Sequence, residues 1–244
     1  MVIHLLLSQD ARGAQRPPEF VNLRDVAPEI LQDIRYASPD NFTGQRVPGY
    51  DANECVLKRP VAEALKQVHA ELRQQSLGLK VYDCYRPTRA TRAFLQWIGA
   101  SSGPRTTRYF PRLDRAKLHS LGYISSSSTH SQGLAVDLTL VRLPPPHQPL
   151  FDPRIRYGDC TGRAIDRSPD NSIDMGTGFD CFDVMSHAGF AALSPEQRGA
   201  RELLRRVMKK HGFEGYWREW WHFTFAPATK RAPRLDFVIA PAPR

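Results

Sequence analysis

Three short stretches of the 244-residue chain carry the residue types that metal-assisted hydrolysis requires. The first is Ser128-Thr129-His130-Ser131-Gln132-Gly133-Leu134-Ala135-Val136-Asp137. An aspartate within the apolar run Leu-Ala-Val-Asp-Leu-Thr-Leu is costly to bury unless a metal ion or an arginine faces it. Gly133 lets the backbone reverse, which brings His130 back beside the strand. The second stretch is Glu219-Trp220-Trp221-His222-Phe223-Thr224-Phe225, whose aromatic content predicts a strand. Residues three apart on a regular strand face opposite sides, so Glu219 is expected in the preceding loop or a bulge; on a helix the two would share a face. The third is Tyr82-Asp83-Cys84-Tyr85-Arg86-Pro87, where a strand gives way to a helix and Arg86 stands at the strand end.

Together His130, Asp137 and His222 supply two imidazoles and one carboxylate, which is the ligand set of a catalytic zinc with its fourth position open to water. One Zn²⁺ per chain is therefore expected, and it would lower the pKa of that water from ~15.7 to ~7. Glu219 is the spare carboxylate, able to take the water proton and hand it to a leaving amine. Arg86 could stabilise charge developing on a scissile carbonyl oxygen, worth ~3–4 kcal/mol in comparable sites, or form an ion pair with Asp83. Each residue alone has an ordinary reading: a buried histidine as a hydrogen-bonding group, a strand aspartate as a local cap. The combination is what points to a hydrolase.

The elements that must position these groups can be read from periodicity. Val61, Ala64, Leu65, Val68 and Leu72 form an apolar stripe of helical period, predicting a helix over 59–75 with Pro60 in its first turn and Gly78 as its stop. Leu79 to Asp83 alternates as a strand, and Pro87 opens a second helix carrying Ala90, Phe94, Trp97 and Ile98. Leu134 to Leu140 reads as a central strand and Trp220 to Phe225 as the last core strand. A third helix starts at Ser194-Pro195-Glu196-Gln197, a capping box with Pro at the first helical position. Residues 147–178 form a long insertion rich in turn formers, residues 1–19 an arm or signal remnant, and residues 227–244 a Pro-rich tail. Helices mixed with strands around one antiparallel sheet give an α+β single domain over 20–226.

The apolar content of 41% is that of a globular chain, and no run of about 18 apolar residues predicts a membrane span. The net charge of +9 is dispersed, so it reads as a solvated basic surface and not as a nucleic-acid footprint. Cys55, Cys84, Cys160 and Cys181 contain no CxxC pair, which argues against a structural zinc knuckle. Cys55 and Cys84 bracket a helix–strand unit, while Cys160 and Cys181 flank a Gly-, Asp- and Arg-rich loop that a bridge would staple by ~3 kcal/mol. Pairing Cys55–Cys84 and Cys160–Cys181 implies an oxidising compartment, periplasmic or secreted; four buried thiols in the cytoplasm are the alternative. The sequence is silent on oligomeric state.

SxHxxGxAxD at 128–137, ExxH at 219–222 and YRP at 85–87 resemble the zinc D-alanyl-D-alanine dipeptidases, the VanX-like branch of the D,D-peptidases related to VanY carboxypeptidases. Arg35-Tyr36-Ala37 with Asn41-Phe42-Thr43-Gly44, and Met175-Gly176-Thr177-Gly178-Phe179-Asp180 with Ser186-His187, extend the resemblance over roughly residues 20–226. It implies the Hedgehog/VanX-like zinc D,D-peptidase fold and hydrolysis of D-Ala-D-Ala to two D-alanines, in cell-wall turnover or glycopeptide resistance. It also implies that His130, Asp137 and His222 bind Zn²⁺, that Glu219 is general base and acid, and that Arg86 stabilises the transition state. Asp180 would hold the substrate ammonium, with Ser128 and Tyr36 lining the pocket. A carboxylate there would reject longer peptides, which have no ammonium to pair with it. Two further readings keep the metal: a D,D-carboxypeptidase acting on longer stem peptides, and a non-catalytic zinc-containing binding module. The intact Glu219 argues against the last.

Overall fold

The computed structural model describes residues 15–104, 106–227 and 232–241. In chain order its strands are β1 (Phe20–Asn22), β2 (Leu31–Gln32), β3 (Val56–Lys58), β4 (Leu77–Asp83), β5 (Ala135–Arg142), β6 (Phe213–Gly215) and β7 (His222–Phe225). Its α-helices are α1 (Leu23–Val26), α2 (Arg59–Arg73), α3 (Thr88–Gly99) and α4 (Pro195–Lys210). The main sheet runs β2-β4-β5-β7-β6, and β1 pairs with β3 in a separate two-stranded ribbon. The chain is thus α+β, as its element pattern predicts. The sheet departs from full antiparallel order only at its edge, where β2 lies parallel to β4.

α2 forms where its apolar stripe predicts, burying Val61, Ala62, Leu65, Val68 and Leu72. Its stop differs from expectation. The chain turns at Ser76, at φ +54°, and Gly78 lies within β4. Gly78 is needed for close approach, because a Cβ there would come within 2.9 Å of the His69 ring. α4 starts as the sequence predicts: the Ser194 hydroxyl accepts from Gln197 N–H, and the Gln197 side chain caps the Ser194 N–H in return.

The segment 227–244 is not a tail outside the domain over its described part. Phe237 and Ile239 are buried, the Phe237 ring stacks on Tyr85 at 3.9 Å between centroids, and Leu235 N–H donates to Ser131 O. Its apolar residues supply the cover that Tyr85 and Phe20 need, so this segment belongs to the core. Of the N-terminal arm, residues 1–14 lie outside the described residues. Arg16 donates to Phe20 O and Asn22 Oδ1. Among the described residues no helix is long and apolar enough to cross a membrane.

The 147–178 segment is anchored by charge. Asp170 accepts from the Tyr82 hydroxyl at 2.6 Å and pairs with Arg35 at 2.9 Å and with the buried Lys80 ammonium. Burial pushes the Asp170 carboxyl up, but Lys80 and Arg35 outweigh it and hold it well below the usual carboxylate range. A depressed folded pKa stabilises the fold at pH values above the unfolded value of ~3.9, and this contribution is lost as the pH falls toward the folded value. Asp170→Ala, which leaves Lys80 without its nearest carboxylate, is expected to lower the unfolding free energy by about 3 kcal/mol at pH 7. In urea titrations the gap between wild type and variant should narrow below about pH 3; a gap independent of pH would refute the assignment.

Candidate active site

A single β-bulge sets the register of the site. β4 and β5 pair Val81 with Leu138 but Asp83 with Asp137, which leaves Tyr82 as the extra residue. The bulge puts Tyr82 and Asp83 on one face instead of alternating them. β5 and β7 then pair Asp137 directly with His222. Asp83, Asp137 and His222 therefore form one row across three strands, their side chains on the same face. His130 enters this row from the 3-10 turn His130–Gln132, where Gly133 takes φ +69° and packs so tightly on Phe20 that a Cβ would lie 2.2 Å from its ring.

The result is a convergence of three donor atoms. His130 Nε2 lies 3.1 Å from His222 Nδ1 and 3.3 Å from Asp137 Oδ1, and His222 Nδ1 lies 3.0 Å from Asp137 Oδ1. His130 Nδ1 is 2.7 Å from the Cys84 carbonyl oxygen, to which it donates. That bond leaves the Nε2 lone pair free for the cluster. A tetrahedral ion bound at ~2.0–2.2 Å has ligand atoms about 3.3 Å apart. The three residues fit a divalent metal in spacing, donor chemistry and second-sphere support.

The electrostatics ask for a cation. Burial alone would raise Asp137, yet the two imidazoles hold it well below the ordinary carboxylate range, while burial pushes His222 down. Burial, then Asp137 and Asp180, push Glu219 well up. Burial and Asp137 do the same to Asp180, against the hydrogen bond it accepts from Tyr36. Three carboxylates thus share one pocket, with Asp83 buried directly behind it.

Glu219 lies in the turn before β7, as the loop-then-strand reading requires, with Oε2 3.9 Å from His222 Nδ1. The strand itself starts at His222, two residues later than expected. The turn is held by Glu219 N–H to Tyr216 O and by Trp220 N–H to Ser186 O. Arg86 forms the ion pair with Asp83 that its sequence position allows, and it also lines the cavity. Its Nε and Nη2 bind Asp83 Oδ2 at 2.9 and 2.8 Å, while its guanidinium lies over the Tyr36 and Phe94 rings and 3.6 Å from Asp137 Oδ2. Asp180, at φ +56°, accepts from the Tyr36 hydroxyl at 2.8 Å. Aspartate tolerates that left-handed backbone better than most residues, and it turns the carboxylate into the pocket. Ser128 Oγ accepts from His130 N–H at 3.2 Å.

Tyr36, Arg86, Ser128, His130, Asp137, Asp180, Glu219 and His222 all line one cavity of about 280 Å³, with Phe94, Tyr123 and Trp221 as apolar walls. No residue of 147–178 lines it. Two residues of this region carry no functional signal in sequence. Asp83 reads only as a neighbour of Arg86, and Tyr50, whose hydroxyl donates to Asp83 at 2.6 Å, lies in a turn-rich stretch.

Both expected disulfides are present, Cys55–Cys84 and Cys160–Cys181. Each lies one residue from a carboxylate of the site, at Asp83 and Asp180 respectively. Removing Cys55–Cys84 by a double Ser substitution should lower the unfolding free energy by about 3–4 kcal/mol in urea titration. The unreduced, denatured wild type should show no reactive thiol.

The Peptidase_M15 family model, described as D-Ala-D-Ala dipeptidase, matches residues 16–145 and 159–239. The break at 146–158 overlaps the start of the long insertion, and the match takes in the Pro-rich segment up to Ile239. A D-alanyl-D-alanine dipeptidase of Enterococcus faecium is 35% identical over 221 residues, covering 90% of this chain and 98% of the relative. One from Streptomyces coelicolor is 32% identical over 223 residues, covering 91% and 98%. One from Escherichia coli is 30% identical over 210 residues, covering 86% of each.

Proposed function

The chain belongs to the D-Ala-D-Ala dipeptidase family of M15 peptidases, and on that footing we propose that it hydrolyses D-Ala-D-Ala to two D-alanines with one zinc ion held by His130, Asp137 and His222. The observation that carries this reading is the convergence of the three donor atoms at 3.0–3.3 Å with a second carboxylate, Glu219, beside them. When bound, the metal supplies an acidified water, its pKa lowered from ~15.7 to ~7, and polarises the scissile carbonyl.

The chain's own residues do the rest. Glu219 Oε2 takes the proton of the attacking water and delivers it to the departing amine, which leaves as D-alanine. Arg86 neutralises the charge that grows on the carbonyl oxygen; because Asp83 already holds it, little reorganisation is needed at that moment. Asp180 pairs with the ammonium of the dipeptide, while Tyr36 keeps its carboxylate oriented. A blocked or extended N-terminus would leave Asp180 buried without a cationic partner, which excludes longer peptides. A cavity of about 280 Å³ suits a dipeptide of two small residues.

Two disulfides favour an extracytoplasmic location, in the periplasm or outside the cell. There the enzyme would meet dipeptide released from the wall, so recovery of D-alanine fits better than protection of cytoplasmic precursor synthesis.

Incubating the protein with D-Ala-D-Ala should release free D-alanine, and a chelator should stop the release. No chelator-sensitive release would sink this reading. Glu219→Ala should cut kcat by at least about 100-fold with the metal still bound, whereas His222→Ala should lose the metal as read by elemental analysis. Asp180→Asn should narrow the preference for D-Ala-D-Ala over its N-acetylated form by at least about 10-fold; a wild type that prefers the blocked form would instead indicate a carboxypeptidase.

A further inference from the structure

Asp83 is fully buried and is not among the residues that line the cavity, yet it is the most heavily bonded carboxylate near the site. Its Oδ1 accepts from the Tyr50 hydroxyl at 2.6 Å and from the Cys84 N–H at 2.9 Å. Its Oδ2 takes Arg86 Nε and Nη2 at 2.9 and 2.8 Å and lies 3.3 Å from His130 Nδ1. The bulge at Tyr82 is what aims it there, since regular alternation would turn position 83 to the opposite face of the sheet.

From this geometry we propose that Asp83 is a positioning residue of the hydrolytic site, holding Arg86 in place and supporting the metal-binding imidazole of His130 from behind. The inference rests on the dipeptidase reading and deepens it. Without Asp83, the guanidinium would be drawn to the next carboxylate, Asp137, which is already 3.6 Å from Nη2. That shift would pull charge away from the carbonyl oxygen and compete with the metal for a ligand. With Asp83 in place, Nε and one edge of Nη2 are engaged, and Nη1 has no partner among the described residues. On the other side, a carboxylate near Nδ1 reinforces the hydrogen bond to the Cys84 carbonyl and raises the basicity of Nε2, the ligand atom. One buried side chain thus sets both the electrophilic arginine and a metal ligand.

Asp83→Asn keeps the shape and one acceptor but removes the charge. It should lower kcat for D-Ala-D-Ala by about 10–100-fold, leave KM within about twofold, and weaken metal retention against a competing chelator by about 10-fold. At saturating metal the loss should not multiply with that of Arg86→Gln: the double variant should lie within about threefold of Arg86→Gln alone, because the carboxylate then has no arginine to hold. Wild-type kcat and metal retention in Asp83→Asn, or losses that multiply fully in the double variant, would overturn the proposal. If Asp83→Asn does not fold, as judged by circular dichroism, Tyr50→Phe decides the matter. It frees the same carboxylate by one hydrogen bond and should lower kcat several-fold with the fold intact, whereas an unchanged kcat overturns the proposal. Metal retention is read independently of turnover. A wild type inactive on D-Ala-D-Ala would therefore refute the functional reading, while the chelator competition still tests Asp83.

Discussion

Negative charge crowded into a small volume of low dielectric is the condition on which this molecule is built. Asp83, Asp137 and Asp180 are buried, and Glu219 is largely so, around one pocket. Carboxylates this close cannot all ionise without positive charge among them. Among the described residues Arg86 is the permanent cation that lines this pocket, and two of its five N–H groups are bound to Asp83. The two imidazoles aim nitrogen atoms at the same point, and with Asp137 they define a place where a divalent ion would relieve the remaining repulsion. The arrangement that burdens the apo fold is therefore the one that selects a metal and keeps a spare carboxylate beside it.

Much of this was legible in the sequence because it is written in local terms. A capping box predicts where α4 begins, and an amphipathic stripe predicts α2, since both depend on residues within a few positions of each other. The aspartate in an apolar strand was informative for the same reason: burying Asp137 among Leu134, Ala135, Val136 and Leu138 makes no sense without a partner. The loop position of Glu219 followed from strand alternation relative to His222.

What escaped the sequence depends on register and on distant contacts. The bulge at Tyr82 has no marker in Leu77-Gly78-Leu79-Lys80-Val81-Tyr82-Asp83, yet it decides that Asp83 joins the site. The Pro-rich composition of 227–244 reads as a tail outside the domain. Composition does not show that Phe237 finds a stacking partner in Tyr85, nor that Leu235 bonds the backbone beside His130. The 147–178 segment hides its anchor in the same way. Asp170 looks like one more loop aspartate until the fold brings Arg35, Lys80 and Tyr82 around it. Pairs separated by about 90 to 150 positions leave no periodic trace.

The two disulfides connect these observations. A site assembled partly from strand ends and turns needs those segments held, because loop backbone is where local opening is easiest. Asp83 is followed by Cys84, whose carbonyl also orients His130, and Asp180 is followed by Cys181. Each cross-link thus clamps the backbone beside a carboxylate of the site, one tying it to Cys55 just before β3 and the other to Cys160 within the 147–178 segment. Asp83 and Asp180 both feel the charge of Asp137, and a covalent tie one residue away limits how far the backbone beside each can move.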